Sequence, residues 1–288
     1  MSRYANVDWS RVVRRRAGEP GAWRSWLAGA LTVVFLLWVG LSLVRSGILE
    51  PGIVFKFLTA KTILEGAWHT LLLATVSQIV GMVIGIAAAV LRANGSTVTR
   101  AGVVIYAWLF RGTPLLVQLL FWFNAIPAAF PRIVIGVPFT DTVVLNMPTT
   151  TVMAPFFAAL IGLALNEGAY MSEIVRSGMA AVAGGQRDAA RAIGMTHAQI
   201  TRRIVLPQAL RIVIPAAGNQ YILMLKSTSL AYVITYAELV RAATDIYSTN
   251  FRVMELLVVA SFWYLVMTSI ASLAQSALER RTGTAHVP

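Results

Sequence analysis

"RDAARAIGMTHAQITRRIVLPQ", residues 187–208, is a basic, amphipathic stretch broken once by Gly194. It interrupts a chain of 288 residues that is 57% hydrophobic and only 12% charged. Soluble domains carry about 25% charged residues. A soluble domain of this length cannot hide so much apolar surface, so lipid is the expected solvent. The stretch is then a charged elbow in a membrane protein, and the segments around it decide the fold.

Six apolar segments of about 20 residues lie near 26–44, 66–91, 101–123, 152–166, 210–235 and 253–276, the length that crosses hydrocarbon as a helix. The fourth is short, and Pro148 and Pro155 blur its start. The expected fold class is all-α: a polytopic membrane helix bundle with about six transmembrane helices. Arg3, Arg11, Arg14, Arg15, Arg16 and Arg24 precede the first segment, Arg92 and Arg100 follow the second, and Arg280 and Arg281 follow the sixth. With Arg176, Arg187, Arg191, Arg202, Arg203 and Arg211, sixteen of the 24 basic residues fall on one side. The positive-inside rule puts that side, and both termini, in the cytoplasm. The net charge of +12 then reports orientation and anionic headgroups rather than nucleic acid. The first segment is read as a retained span, because "LVRSGILEPG" after it offers no A-x-A cleavage site. The outer loops 45–65 and 124–150 are too modest to fold as domains. With no cysteine, the chain has no disulfide, thiolate metal site or thiol nucleophile.

The connection 167–211 is the one long cytoplasmic loop, split at Gly184-Gly185 and again at Gly194. Residues 186–193 form one short helix, with Ala189, Ala190 and Ile193 on one face and Arg187 and Arg191 on the other. Asp188 lies three before Arg191, within reach of an ion pair. Gly194 suits the left-handed residue that ends a helix, and Thr196 suits the cap of the next. Ile200 and Ile204 stack one turn apart, and Leu206-Pro207 is expected to stop or bend that second helix. Three uses compete. A DNA-binding helix-turn-helix needs a soluble bundle to hold it, and none is available. A headgroup anchor needs no fixed elbow. A docking knob for a cytoplasmic partner needs a rigid elbow, because it must transmit motion.

The spacing carries a resemblance. Asp188-Ala189-Ala190, three residues, Gly194, nine residues, then Ile204-Val205-Leu206-Pro207 resembles the EAA loop of ABC-importer permease subunits, with Asp in place of the usual Glu. "FRGTPLLVQLLFWF" (110–123), "NEGAYMSEIVRSG" (166–178) and "LKSTSLAYVI" (225–234) resemble the polar amino-acid branch of that family. The likeness spans residues 62–280, a MetI-like type I importer core. Residues 1–25 read as a basic cytoplasmic segment, 26–61 as an extra transmembrane helix and outer loop, and 281–288 as a cytoplasmic tail. The resemblance implies a subunit of the bacterial inner membrane, working as a pair with an identical or homologous permease. It implies two cytoplasmic ATP-binding subunits gripping the elbow, and an extracytoplasmic solute-binding protein delivering a polar amino acid. ATP and Mg would be held by the partner: this chain has no G-x-x-x-x-G-K-[ST] and is not read as an enzyme.

Ionisable and amide groups at membrane depth are expensive and mark candidate solute contacts. Arg111 stands beside Gly112-Thr113-Pro114, where a broken helix would expose backbone groups, and Gln118 falls seven residues later. Lys226 and Asn219 form a second pair, also seven apart. Arg111 or Lys226 would meet a substrate carboxylate. Glu167 reads as a packing or gate-side ion partner, and Glu255 as solvated. His69, His197 and His286 have no metal-ligand spacing. The alternative reading is an ion-coupled secondary transporter of amino acids built on Arg111 or Lys226.

Overall fold

The computed structural model describes residues 22–136, 143–182 and 184–282. Arg3, Arg11, Arg14, Arg15 and Arg16 in the basic N-terminal segment, and His286 in the tail, lie outside the described residues. The chain divides into two compact units, 1–53 and 54–288. In the first, helix α1 (Ala22–Arg45) is apolar on every side, with Trp26, Leu31, Phe35 and Trp38 all exposed. Such a helix is stable only in hydrocarbon. Gly47, at φ 72°, ends it. Helix α2 (Pro51–Leu58) follows.

The second unit is built on α3 (Lys61–Asn94), a 34-residue pole. Ser96 caps α4 (Thr97–Gly112), its Oγ accepting from Thr99 N at 3.3 Å. The chain then bends by 105° at Thr113-Pro114 into α5 (Leu115–Leu120), which continues as a π-helical turn, Phe121–Ala125. The break expected at Gly112-Thr113-Pro114 is thus present. The all-helical expectation misses a hairpin: β1 (Arg132–Gly136) pairs antiparallel with β2 (Val143–Pro148), Arg132 opposite Pro148. Its β-branched runs "RIVIG" and "VVLNMP" are the signal. Helix α6 (Pro155–Ala180) takes Pro155 in its first turn, where the missing N–H costs nothing. It carries the fourth apolar segment on past Glu167 and Arg176 without interruption. After the elbow, α9 (Leu206–Ser227) gives way to a 3₁₀ turn, Thr228–Ile234, so the fifth segment is α-helical only to Ser227. Two more helices follow, α10 (Leu239–Asn250) and α11 (Val253–Thr282).

Among the described residues, α1, α3 and α11 are long and apolar enough to cross a membrane, and the bent α4–α5 pair makes a fourth. α6 and α9 fall short because Asn166, Glu167, Asn219 and Gln220 interrupt them. A helix inside a bundle meets protein on several sides and tolerates such groups.

The tightest packing sets α3 against α6. A Cβ on Gly81 would meet Glu167 Cβ at 2.7 Å, and one on Gly168 would meet Ile84 Cγ2 at 2.7 Å. Gly81 and Gly85 therefore let the two backbones touch, as small residues four apart do in membranes. Leu73, Leu119, Leu163, Met224, Leu225 and Ile234 form one core. Ile63, Leu239, Leu256 and Val259 form a second. Beside the second core Glu238 is fully buried, capping α10 with both carboxylate oxygens, from Val240 N and Arg241 N at 2.8 Å each. Tyr264 Oη donates to it at 2.9 Å. Glu255 corrects an expectation: it is 2% exposed rather than solvated, and Arg252 lies 3.7 Å away. The turn into α11 folds the carboxylate inward onto its own ion partner.

Candidate functional site

The elbow is two short helical arms clamped together. The first is α7 (Gly184–Ala192). Met195 N bonds to Ala190 O at 3.1 Å and Gly194 N to Arg191 O at 3.0 Å, with Gly194 at φ 81°. That pair of bonds is the Schellman closure, and it needs a left-handed residue at Gly194. No atom lies within 4 Å of where a Gly194 Cβ would sit, so the requirement is conformational, not spatial. The second arm begins as α8 (His197–Ile200). Thr196 Oγ1 accepts from Gln199 N at 3.3 Å while Gln199 Oε1 accepts from Thr196 N at 2.9 Å, a reciprocal capping box.

Of the stop or bend expected at Leu206-Pro207, the stop does not occur. A π-helical turn, Thr201–Val205, hands Leu206 N to Thr201 O, and Pro207 then sits in the first turn of α9, where it needs no N–H partner. The second arm therefore continues into α9 without a break in helical backbone. Ala190, Ile200, Val205 and Val182 are buried together, with Met179, Met195 and Ile204 packed on them. Gln208 Nε2 donates to Gln186 Oε1 at 2.6 Å, tying the base of one arm to the other. The outward face keeps Asp188, Ala189, Gly194, Leu206 and Pro207 exposed, and Ile193 is 79% exposed. Ala189, Ile193 and Ile204 line a shallow apolar groove there. Asp188 pairs with Arg191 at 3.2 Å in the open, a contact of small energetic weight.

A cavity of about 360 Å³ opens between α6 and α9, lined by Asn166, Glu167, Tyr170, Gln220, Leu223 and Ser227 among others. None of the four expected contact residues lines it, but two stand at its rim. Arg111 lies over the Tyr170 ring, 5.4 Å from its centroid. Gln118 is buried and spends its amide on the helix break: Nε2 donates to Phe110 O at 2.9 Å and to Thr113 O at 3.1 Å. Pro114 has no N–H to offer the Phe110 carbonyl, and Asn166 Nδ2 also donates to it, at 2.8 Å. Asn166 then reaches Gln118 Oε1 at 3.2 Å. The other two residues stand apart from the cavity: Asn219 accepts from Gln275 of α11 at 3.2 Å, and Lys226 is exposed. Sequence reasoning missed Asn166, Tyr170 and Gln220 as cavity groups and read Glu167 as a packing or gate-side ion partner. Glu167 packs and also lines the cavity: it is 5% exposed and accepts from Gln78 Nε2 of α3 at 3.0 Å. The signal was available in "NEGAY", where three polar groups follow the apolar first half of the helix.

A cavity that mixes apolar side chains with Asn166, Glu167, Gln220 and Ser227, and an elbow that continues into one of its walls, are features a membrane transport subunit would use. The chain belongs to the family of binding-protein-dependent transport system inner membrane components, whose model matches residues 81–284. That family is the membrane-spanning, non-catalytic part of such systems. The arginine transport system permease protein ArgU of Corynebacterium glutamicum is 40% identical over 258 residues, 88% of this chain and 79% of that protein. The glutamine transport system permease protein GlnP of Escherichia coli K12 is 34% identical over 219 residues, 76% and 92% of the two chains. Among solved structures, an amino acid ABC transporter with histidines is 34% identical with a TM-score of 0.66, covering 76% of this chain and 94% of that one. The MetNI methionine transporter in an inward-facing form shares the fold at 18% identity and a TM-score of 0.58.

Proposed function

We propose that this chain is the permease subunit of an ATP-driven importer of polar amino acids. It works as one of a pair, with both termini in the cytoplasm. Two ATP-binding subunits, holding ATP and Mg, grip the elbow at Asp188–Pro207. An extracytoplasmic binding protein delivers the solute. The observation that carries this reading is the locked elbow: a Schellman closure, a capping box and a small buried core spent on one exposed knob. The relatives named for arginine and glutamine transport support the amino-acid assignment. The cavity's Asn166, Glu167, Gln220 and Ser227 offer hydrogen bonds from two amides, a carboxyl and a hydroxyl, which suits a polar solute.

Energy enters as differential affinity of the ATPase for the two access states, passed through the elbow to α9. The test is uptake into vesicles holding the assembled transporter, with the binding protein added outside. Uptake should require both ATP and the binding protein. Gradient-driven uptake by the purified permease alone would instead establish the ion-coupled transporter and end this proposal.

A further inference from the structure

Glu167 is the one acid among the described residues that line the cavity between α6 and α9. It is 5% exposed, and among the described residues no lysine or arginine forms an ion pair with it. The groups on the elements packed around it are uncharged or engaged elsewhere. α3 faces it with Gln78 and Gly81. α4 brings Tyr106, whose Oη donates to Leu165 O at 2.6 Å, and Arg111, whose guanidinium lies over the Tyr170 ring. On α6 itself, Glu173 is taken by Arg92 and Arg176. α9 contributes Gln220 and Ser227, and its Lys226 is exposed. A bare carboxylate buried among membrane helices without a cation is expensive, and the neutral acid is the cheaper form.

Gln78 has a place for the proton. Its Nε2 donates to Glu167 Oε1 at 3.0 Å, while Oε1 of the same amide is buried with no partner. The Ser77 hydroxyl, one residue away, is also without a partner and so does not fill that role. An un-ionised Glu167 supplies the missing donor: O–H to Gln78 Oε1, and N–H back to the acid carbonyl, close a pair of hydrogen bonds.

We propose that Glu167 enters the transport cycle as a neutral acid paired with Gln78, and that a cationic amino-acid side chain binds by taking the place of its proton. The O–H bond breaks, the proton leaves to solvent, and the carboxylate pairs with the incoming ammonium or guanidinium. One positive charge enters as one leaves, so no uncompensated cation is buried. A neutral solute leaves the proton in place. The proton sets selectivity and is not the energy source. This deepens the importer reading and rests on it for the solute class.

The probes are arginine and citrulline, a guanidinium and its neutral urea counterpart, bound to the assembled transporter without the binding protein. Arginine affinity should rise about tenfold per pH unit on the acid side of neutrality, the slope for one displaced proton, while citrulline affinity stays flat. Glu167→Gln can keep two hydrogen bonds with Gln78, amide to amide. It should assemble normally and show no pH slope for either solute. Infrared difference spectra of native against Glu167→Gln protein read the charge state without any solute. A protonated-carboxyl C=O band should be present in the native protein, absent from the variant, and removed from the native protein by arginine. Absence of that band, a pH-independent arginine affinity or no arginine binding overturns the proposal. So does a Glu167→Gln chain that fails to assemble, because a neutral acid tolerates its amide isostere. If band and slope are as stated while the native assembly shows no ATP-driven uptake, the acid site stands and the importer reading is what fails.

Discussion

Gly194 concentrates the elbow's demands in one backbone angle. A left-handed conformation costs a side-chain-bearing residue about 1–2 kcal/mol, and most for a β-branched one. Gly194→Val should therefore reopen the Schellman closure without a clash, since the space around it is empty. The variant should insert and hydrolyse ATP with its partner, yet move less solute per ATP; Gly194→Asn should lie between it and the native chain. Normal uptake per ATP in Gly194→Val would show that the elbow needs no fixed angle. Glu238 is the opposite kind of residue, fully buried and invisible to periodicity. Removing it strands two helix N–H groups and takes an acceptor from the Tyr264 hydroxyl, so Glu238→Ala should lower stability by about 1–3 kcal/mol. Thermal melting in detergent, compared with Glu238→Gln, reads this directly. Its two capping partners are local, two and three residues on, but its burial and its third partner, Tyr264 of α11, 26 residues away, come from packing that no periodicity marks.

Elements built on local chemistry were readable in advance, and those built on long-range packing were not. The break at Gly112-Thr113-Pro114 and the closure at Gly194 follow from residues within a few positions of each other. The fate of Pro207 does not, because the π-helical turn that carries the chain through it is stabilised by Ile200 and Val205 packing on α7. Gln118 and Asn219 are marked by the sequence as polar groups in apolar segments, yet their partners, Asn166 and Gln275, lie 48 and 56 residues away. The α4–α5 break gives an element-scale prediction. Gln118 and Asn166 both donate to Phe110 O, so either can be lost while the carbonyl keeps one donor. Gln118→Ala and Asn166→Ala should each be mild, and the double variant should exceed their sum by about 0.5–3 kcal/mol, the range for residues sharing a partner. Additive melting shifts would mean that the two amides do not hold the break together.

At the scale of the whole molecule, the first helix is expected to be separable from the residues that match the family. Both hydrophobic cores are built from residues 54 and beyond, the family model begins at Gly81, and α1 presents an apolar surface all round. Composition made α1 legible as a membrane span, and nothing in the sequence or in the second unit's packing gives it work in the transport cycle. A chain beginning at Val54 keeps α3, the α3–α6 glycine contacts, the cavity and the elbow. It also keeps Leu58, whose carbonyl accepts from Trp263. Such a chain should therefore fold, assemble with its ATPase and retain its uptake per ATP. What it should lose is efficient insertion. The six arginines before residue 26 supply the strongest cytoplasmic bias at the start of the chain, and α3 would then have to enter in its correct direction unaided. The expected outcome is a lower yield of membrane-extracted protein with unchanged coupling in the fraction recovered. A normal yield with impaired coupling would reverse the assignment and make the first helix part of the transport mechanism.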